Sequence, residues 1–427
     1  MHKYFGTDGL RGLVGRDLTD DFVGRLAGAV ASFAMKNSPP PGEANGVVKV
    51  LIGRDTRPSG EWIENIFVNA LQARDIEVVR VGVVPTTALS FLTREEGAGL
   101  GIMITASHNP VDWNGVKLFD SDGRKLKNDK VSAIEELLVT EVDLLFPIKN
   151  SPPPGGVAVR NTGGVVKRWL DFLVDEFADL RGMKTKIFVD CVNGSGAEVA
   201  REVFARLGLD AVLINTGNGE DINKQTEGTL AKKLIVLDPL VTPAIGFEFD
   251  GDADRCIVHA REGKIQGDRL IAALAVWMRE RRIVGTILFN SGVEKWLHRK
   301  GVDLVRVPVG DKYVCEALER ESLHLGGEES GHIIVPSLLS SGDGLMSALL
   351  ILRMMKDTGK GIVDLTRDIP LSPSASRNFN ATPEMKAFLR TPEFSEFLKE
   401  LNHHNPKTRI VIRPSGTEDF VRILVEG

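Results

Sequence analysis

Residues 186–214 carry the sequence KIFVDCVNGSGAEVAREVFARLGLDAVLI. Its first five residues, Lys186–Asp190, have the apolar, β-branched character of a buried strand. A helical stretch ending at residues 204–208 follows, and residues 210–214 return to a strand pattern. Two strands joined by a helix favour a parallel pair with a right-handed crossover. This stretch therefore predicts a β–α–β unit.

The same pattern occurs twice more, which predicts three related α/β domains, each with a mixed sheet. The further copies are residues 48–53, a helix through 70–71 and 75–82, and residues 286–290, 296–301 and 303–307. The tail lacks the pattern and predicts a smaller α+β domain. SPPPGG at 151–156 fits a linker, whereas SPPPG at 38–42 predicts an exposed loop. The predicted domains are 1–150, 157–262, 263–364 and 365–427.

Composition sets limits on function. The chain has 427 residues, too many for one core, with 42% hydrophobic and 26% charged residues. A net charge of −5 gives no reason to expect nucleic-acid or membrane binding. No apolar run reaches roughly 18 residues, and no signal peptide is recognisable. The three scattered cysteines, Cys191, Cys256 and Cys315, predict buried thiols in a reducing, cytoplasmic environment.

The segment TASHNP, residues 105–110, follows an apolar strand pattern at 99–104. Pro110 cannot continue a strand, so Ser107 and His108 are expected in a polar loop at the strand end, where α/β proteins place reactive groups. The Ser107 hydroxyl could accept an acyl or a phosphoryl group. An isolated Ser-His pair is also common in turns without any chemistry.

The segment DGDADR, residues 250–255, carries three carboxylates at alternate positions behind a predicted strand. Oxygen ligands at this density suit Mg²⁺ better than Zn²⁺. An EF-hand is rejected because its sixth and twelfth positions hold Arg255 and Arg261. A cation next to Arg255 suits a phosphate, since the metal neutralises charge and the guanidinium binds its oxygens.

Two further loops carry polar groups between glycines. GGEESGH, at 326–332, offers a carboxylate, a hydroxyl and an imidazole, a set able to bind sugar hydroxyls. RPSGTE, at 413–418, offers a guanidinium and two hydroxyls around an open turn, which suits a phosphate. Either loop alone is equally compatible with a surface turn.

Together with FGTDGLRG at 5–12, these motifs, in this order, resemble the α-D-phosphohexomutase superfamily and span nearly the whole chain. The resemblance implies that Ser107 carries a phosphoryl group and donates it to a hexosamine monophosphate. A hexosamine 1,6-bisphosphate is then the intermediate and activator. Arg11 and Arg255 are implied to hold phosphate oxygens or the residues beside them. The implied Mg²⁺ ligands are Ser107, Asp250, Asp252 and Asp254.

The resemblance also implies the substrate-binding groups. Glu328 and Ser330 would bind ring hydroxyls, and His332 would read a hydroxyl or serve a proton. The other phosphate would be bound by Arg413, Ser415, Gly416 and Thr417. Because each predicted domain carries one motif, the site is expected in a central cleft.

Proton transfer has two candidates near Ser107 in sequence. The resemblance favours Lys117 as a participant, although a purely electrostatic role towards phosphate is the alternative. His108 is expected in the active site, where it fixes the loop by a hydrogen bond rather than transferring the proton.

Alternatives remain open at this point. The sugar is expected to be a hexosamine phosphate, but Thr105-Ala106-Ser107 also resembles branches acting on glucose or mannose phosphates. Ala253 stands where the superfamily often has glycine, which matters only if that residue needs a positive φ. A phosphatase and a non-catalytic sugar-phosphate binder are the other classes. A small-molecule sugar phosphate is the expected partner, and a homodimer is compatible with the sequence.

Overall fold

In the computed structural model, residues 3–37, 48–140, 159–161, 163–224, 230, 244–415 and 419–427 are described. The chain forms two compact units, which we describe separately. The first comprises residues Met1–Ile265 and His332–Ile362, and the second Gln266–Gly331 and Val363–Gly427. The predicted linker at 151–156 and loop at 38–42 lie outside the described residues, and the four domain boundaries stay a prediction.

The first sheet has six strands in the order β1-β5-β4-β2-β3-β6. It is mixed, because β2 is parallel to β3 and β4 whereas β5 is antiparallel to β4 and β1. Val50, Ile52 and Ile102 are fully buried beneath its helices. The elements are β1 (Leu10–Leu13), α1 (Asp20–Lys36), β2 (Lys49–Arg54), α2 (Gly60–Gln72), β3 (Glu77–Val83), α3 (Thr86–Glu95), β4 (Leu100–Ile104), β5 (Trp113–Asp120), α4 (Asn128–Thr140) and β6 (Val159–Asn161).

The second sheet is also mixed, in the order β11-β10-β9-β7-β8. The strand–helix–strand unit at 186–214 is present, and its two strands are parallel as predicted. A tight connection between β9 and the antiparallel β10 carries the acidic motif. The elements are α5 (Gly163–Glu176), β7 (Lys186–Asp190), α6 (Gly196–Leu207), β8 (Ala211–Ile214), β9 (Ala244–Phe249), β10 (Cys256–Ala260) and β11 (Gly263–Ile265).

In the second unit, β12 lies between β13 and β14 and is parallel to both. The strand predicted at 286–290 is wrong: β12 ends at Thr286, and Phe289 donates its N–H back to the Thr286 carbonyl in a turn. Phe289 is buried within this turn. Its apolar character therefore reflects burial in a turn and not a strand. The elements are α7 (Gly267–Trp277), β12 (Arg282–Thr286), α8 (Ser291–Arg299), β13 (Asp303–Val307), α9 (Asp311–Glu321) and β14 (Gly326–Gly327).

The C-terminal part is a three-stranded antiparallel sheet with β18 at its centre, accompanied by short helices. The predicted fold class, three α/β domains and a smaller α+β C-terminal domain, is confirmed. The remaining elements along the chain are β15 (Ile333–Ile334), α10 (Gly344–Thr358), α11 (Ile362–Thr366), β16 (Ser374–Asn380), α12 (Pro383–Phe388), α13 (Pro392–His404), β17 (Arg409–Pro414) and β18 (Phe420–Glu426).

The cysteines are free thiols, of which Cys191 and Cys256 are buried as predicted, whereas Cys315 is only half-buried. Within the described ranges, none of the helices combines the length and the apolar character needed to cross a membrane.

Candidate active site

The Ser107 loop follows β4 directly, as the apolar run before it predicts. The N–H of Ser107 donates to the Thr105 hydroxyl at 2.8 Å, and that of Asn109 to the Ala106 carbonyl at 3.1 Å. Ser107 is buried and has a left-handed φ of 52°. Its Oγ donates to Oδ2 of Asp250 at 2.7 Å, so the two motifs singled out in the sequence meet at this bond.

The acidic turn between β9 and β10 brings three carboxylates together. Ligand atoms of Asp250, Asp252 and Asp254 all lie within 4.8 Å of one another. Oδ1 of Asp252 is buried and has no hydrogen-bond partner among the described residues, so it is an acceptor that a cation would satisfy. Hard oxygen donors at this density fit Mg²⁺. By both chemistry and geometry, the triad could hold a metal ion.

Ala253 takes a left-handed φ of 53° inside this turn. The replacement of glycine by Ala253 therefore matters, because this position has a positive φ. A non-glycine residue in this region of conformational space costs about 1–2 kcal/mol. The turn accepts this strain between two of its carboxylates.

Lys117, on β5, lies among three acids. Its Nζ is 2.8 Å from Oδ2 of both Asp252 and Asp254, and 3.3 Å from Asp8. Its side chain is only 1% exposed. Burial by itself lowers the pKa of Lys117, but the three negative charges outweigh burial and raise the pKa well above its usual range. The group is an ammonium that donates hydrogen bonds, so in this arrangement it cannot act as a base.

The acids respond to the same charges. Burial, followed by the charges of Asp254 and Asp252, raises the pKa of Asp250 to about 7. Burial also raises the pKa of Asp254, but Lys117 and His332 reverse that effect and hold this pKa well below its usual range. The triad thus presents one easily protonated carboxyl, which bonds Ser107, beside a firmly ionised one.

His108 and Arg11 lie at the outer side of the loop. Nδ1 of His108 is 3.4 Å from the Ser107 Oγ, while Arg11 donates to Oδ1 of Asn109 at 2.9 Å and to Asp8. Desolvation, and then the positive charges of Arg255 and Arg11, lowers the pKa of His108 to about 4, although part of the residue reaches solvent. The imidazole is therefore neutral at pH 7.

His332 was predicted with the sugar-binding group, and in the structure it contacts Asp254 of the acidic turn. Its Nε2 is 3.1 Å from Oδ1 of Asp254 and 3.4 Å from Nε of Arg255. The Arg255 Nε is 3.7 Å from Asp250. Arg255 and His332 thus lie next to the triad, on the side of Asp254.

The other predicted binding residues belong to the second unit. Glu328 is buried, and its Oε1 accepts the Gly310 N–H at 2.9 Å, while Ser330 is half-buried. Arg413 on β17 is half-buried and pairs in register with Arg422 on β18. Burial, and then the charge of Arg422, lowers the pKa of Arg413. Two guanidinium groups on paired strands favour an anion. Ser415 is buried, and Gly416 and Thr417 lie outside the described residues.

Sequence reasoning missed several residues that contact these groups. Asp8 accepts from Lys125, and Thr86 bonds Asp252 through both its hydroxyl and its N–H. Arg422 lies two positions beyond a strand start and carried no motif. Asp8 lies inside the opening FGTDGLRG motif, so its charge was the one available signal.

Models of one family match most of the chain. The phosphoglucomutase/phosphomannomutase α/β/α domain I matches residues 2–143, domain II residues 167–263 and domain III residues 266–371. Together with the serine loop and the acidic triad, these matches define an α-D-phosphohexomutase, as the motifs predicted.

Relatives that match the whole chain indicate which family of phosphohexomutases it belongs to. A phosphoglucosamine mutase of Dictyoglomus thermophilum is 36% identical over 439 residues, covering 100% of this chain and 92% of the relative. One of Levilactobacillus brevis is 37% identical over 440 residues, covering 100% and 94%. The structure of Aspergillus fumigatus N-acetylphosphoglucosamine mutase in complex with GlcNAc-6P and magnesium has the same fold, with a TM-score of 0.63 at 17% identity, covering 100% of this chain and 92% of that one. The chain belongs to the phosphoglucosamine mutase family.

Proposed function

We propose that this chain interconverts glucosamine 6-phosphate and glucosamine 1-phosphate through a phosphoserine at Ser107 and a glucosamine 1,6-bisphosphate intermediate. The observation that carries the proposal is the 2.7 Å bond from the Ser107 Oγ to Asp250, within a buried acidic triad. The curated relatives, phosphoglucosamine mutases over their full length, support the amino-sugar substrate. A phosphoglucomutase or phosphomannomutase with the same residues is the alternative.

In the resting enzyme, Ser107 carries the phosphoryl group. Asp250, Asp252 and Asp254, together with an oxygen on Ser107, would hold Mg²⁺, which would neutralise phosphate charge. Transfer breaks the bond between phosphorus and the Ser107 Oγ and forms a bond to the free sugar hydroxyl. In the second half-reaction the other phosphate of the bisphosphate returns to Ser107.

Proton handling follows from the charges. Lys117, held as an ammonium by three acids, can stabilise phosphate oxygens and donate a proton to the leaving oxygen. The proton lost by the attacking sugar hydroxyl then restores the ammonium, so each transfer is balanced. His108 is neutral and orients the loop through its contact with Ser107. Arg11 and Arg255 bind phosphate oxygens or hold the neighbouring Asn109 and His332.

We assign substrate recognition to the second unit. Glu328 and Ser330 bind ring hydroxyls. Arg413, Ser415, Gly416 and Thr417 bind the phosphate that is not being transferred. A guanidinium and main-chain N–H groups do not depend on which sugar carbon bears that phosphate, as an intermediate used in two orientations requires. We place the reaction in the cytoplasm, where free cysteines stay reduced.

Turnover of glucosamine 1-phosphate, glucose 1-phosphate and mannose 1-phosphate, measured side by side with Mg²⁺ and a trace of hexose bisphosphate, tests the proposal. We expect the highest kcat/KM for the amino-sugar. A preference for glucose or mannose phosphate would correct the substrate and keep the mechanism. Release of inorganic phosphate without isomerisation would replace the mutase with a phosphatase.

A further inference from the structure

The main chain of Ser107 needs external support. Its left-handed φ of 52° costs a non-glycine residue about 1–2 kcal/mol, yet it directs the hydroxyl at Asp250. Residues persist in such a conformation only where their surroundings impose it. The donors to the carbonyl groups of this loop are therefore informative.

Arg57, just after β2, is the first such donor. It is 1% exposed, and its guanidinium points into the Ser107 loop. Its Nη2 donates to the carbonyls of Ser107 at 2.9 Å and Asn109 at 2.7 Å. Its Nη1 donates to the carbonyls of Trp113, at 2.8 Å, and Pro110. One buried guanidinium thus binds four carbonyl groups of the segment 107–113.

Asp55 fixes this guanidinium in turn. Its Oδ2 accepts from Nε of Arg57 at 3.0 Å and from the Thr105 hydroxyl at 2.7 Å. The same Thr105 hydroxyl accepts the N–H of Ser107. A buried arginine with every acceptor in place is pre-organised, because its planar fork has little freedom left.

Asn223, which follows β8 in the chain, binds the carbonyl groups of Ser107 and Asn109 as well. Its Nδ2 donates to the Ser107 carbonyl at 2.6 Å and to the Asn109 carbonyl at 3.0 Å. Gly251 leaves room for this contact, since a Cβ there would lie 2.6 Å from the Ser107 oxygen and 2.8 Å from the Asn223 nitrogen. Asn223 itself has a left-handed φ of 55°, which asparagine tolerates well.

We propose that Arg57 and Asn223 form a carbonyl clamp: they are positioning residues that fix Ser107 in its left-handed conformation and so set the direction of its Oγ. The proposal rests on the proposed function, in which that oxygen carries the phosphoryl group. The clamp acts on the nucleophile through its main chain, so its loss lowers kcat while leaving KM for the sugar phosphate largely unchanged.

Asn223→Gly is the cleanest test, because glycine accepts the left-handed φ while the amide is deleted. Asn223→Asp keeps the shape but sets carboxylate oxygens against the two carbonyl oxygens. Asn215→Gly is the matched control: Asn215 has a φ of 50°, and its amide donates to Asp190 at 2.9 Å. Arg57→Lys would leave carbonyls unpaired in a buried site and is expected to impair folding, so it is not the deciding variant.

We expect Asn223→Gly to lower kcat about 10-fold and Asn223→Asp about 100-fold, with KM within about threefold of wild type, because small displacements of a reacting atom are costly. Values of kcat for both variants equal to that of Asn215→Gly would overturn the clamp.

Hydrogen exchange gives a readout that does not depend on turnover. Asn223→Gly should accelerate exchange of the amides in residues 106–113, and Asn215→Gly should not. If the wild-type enzyme isomerises no sugar phosphate, the proposed function fails while exchange still decides the clamp. Unchanged exchange in Asn223→Gly would overturn it in either case.

Discussion

The Ser107 loop and the Arg413 strand bind phosphate in the proposed function, but they are built differently. Ser107 and Asp252 are fully buried, and Lys117 bonds two carboxylates at 2.8 Å. Arg413 is half-buried in a three-stranded sheet whose strand β16 is exposed along its whole length. The first site meets the demand of phosphoryl transfer, where atoms must be fixed precisely. The second meets the looser demand of holding either phosphate of a bisphosphate.

The burial around each site agrees with this contrast. The buried core of the first sheet continues from Ile102 and Ile104 directly into the Ser107 loop. Around the C-terminal sheet, Phe379, Phe388 and Phe397 are about half exposed, at 49%, 48% and 51%. We therefore expect substitutions in the first site to reduce kcat and those in the second to raise KM.

Ser107→Ala should have the largest effect. Without the nucleophile there is no phosphoserine, and mutase turnover should fall by about 10³-fold or more. Steady-state isomerase rates check this, with Ser415→Ala as the comparison from the second site, which should keep turnover at a higher KM. Turnover of Ser107→Ala near the wild-type rate would end the phosphoserine mechanism.

Asp252→Asn should come next. It removes one of the three carboxylates around Lys117 and a proposed metal ligand, so kcat should fall about 100-fold and the Mg²⁺ concentration for half-maximal activity should rise. Asp122→Asn, the same change on an exposed turn, is the control. An unaltered Mg²⁺ titration in Asp252→Asn would mean that the triad does not hold the cation.

Arg413→Ala tests the second of the two phosphate sites. Loss of a charge-assisted contact should raise KM about 10- to 100-fold with a smaller change in kcat, and should increase release of bisphosphate to solvent. Arg377→Ala, on the exposed β16, provides the control. A decrease in kcat without a change in KM would mean that Arg413 acts in the chemical step. The proposed difference between the two phosphate sites would then be wrong.

Substitution of Asp268 should have the smallest effect, and it should change only the stability of the protein. Burial, then the charges of Glu329 and Glu426, raises the pKa of this carboxyl to about 7 from 3.8. The protonated form is favoured in the fold, so its stabilisation is complete below about pH 4 and is lost as pH rises through 7.

Asp268→Asn should therefore unfold at the same temperature as wild type near pH 4 and at a higher temperature at pH 8. The difference should be on the order of 1–3 kcal/mol in the free energy of unfolding. Thermal unfolding across this pH range checks the expectation, with the exposed Asp303→Asn as control. A difference independent of pH would show that Asp268 does not titrate there.

Much of the fold was accessible from local sequence. The strand–helix–strand pattern at 186–214 predicted a parallel pair, because burial on both faces leaves a continuous apolar strand. The strand at 286–290 was misplaced because Ile287, Leu288 and Phe289 are apolar but form a turn, and burial in a turn gives the same local pattern.

The site was predictable only where a motif carries its own chemistry. The motifs named Ser107 and the acidic triad. Arg57 and Asn223 went unnoticed because their bonds to Ser107 join residues 50 and 116 positions apart, which no local pattern encodes. His332 was grouped with its sequence neighbours, whereas tertiary packing sets it against Asp254. The three acids around Lys117 likewise come from two separate segments.

The central claim is that Ser107 carries the phosphoryl group. Incubation of the protein with Mg²⁺ and a hexose 1,6-bisphosphate, followed by intact-mass and peptide mass spectrometry, tests it directly. The account predicts the added mass of one phosphoryl group on the peptide containing residues 105–110, and none in Ser107→Ala. No phosphoryl group on wild-type protein, or one on a residue other than Ser107, would contradict it.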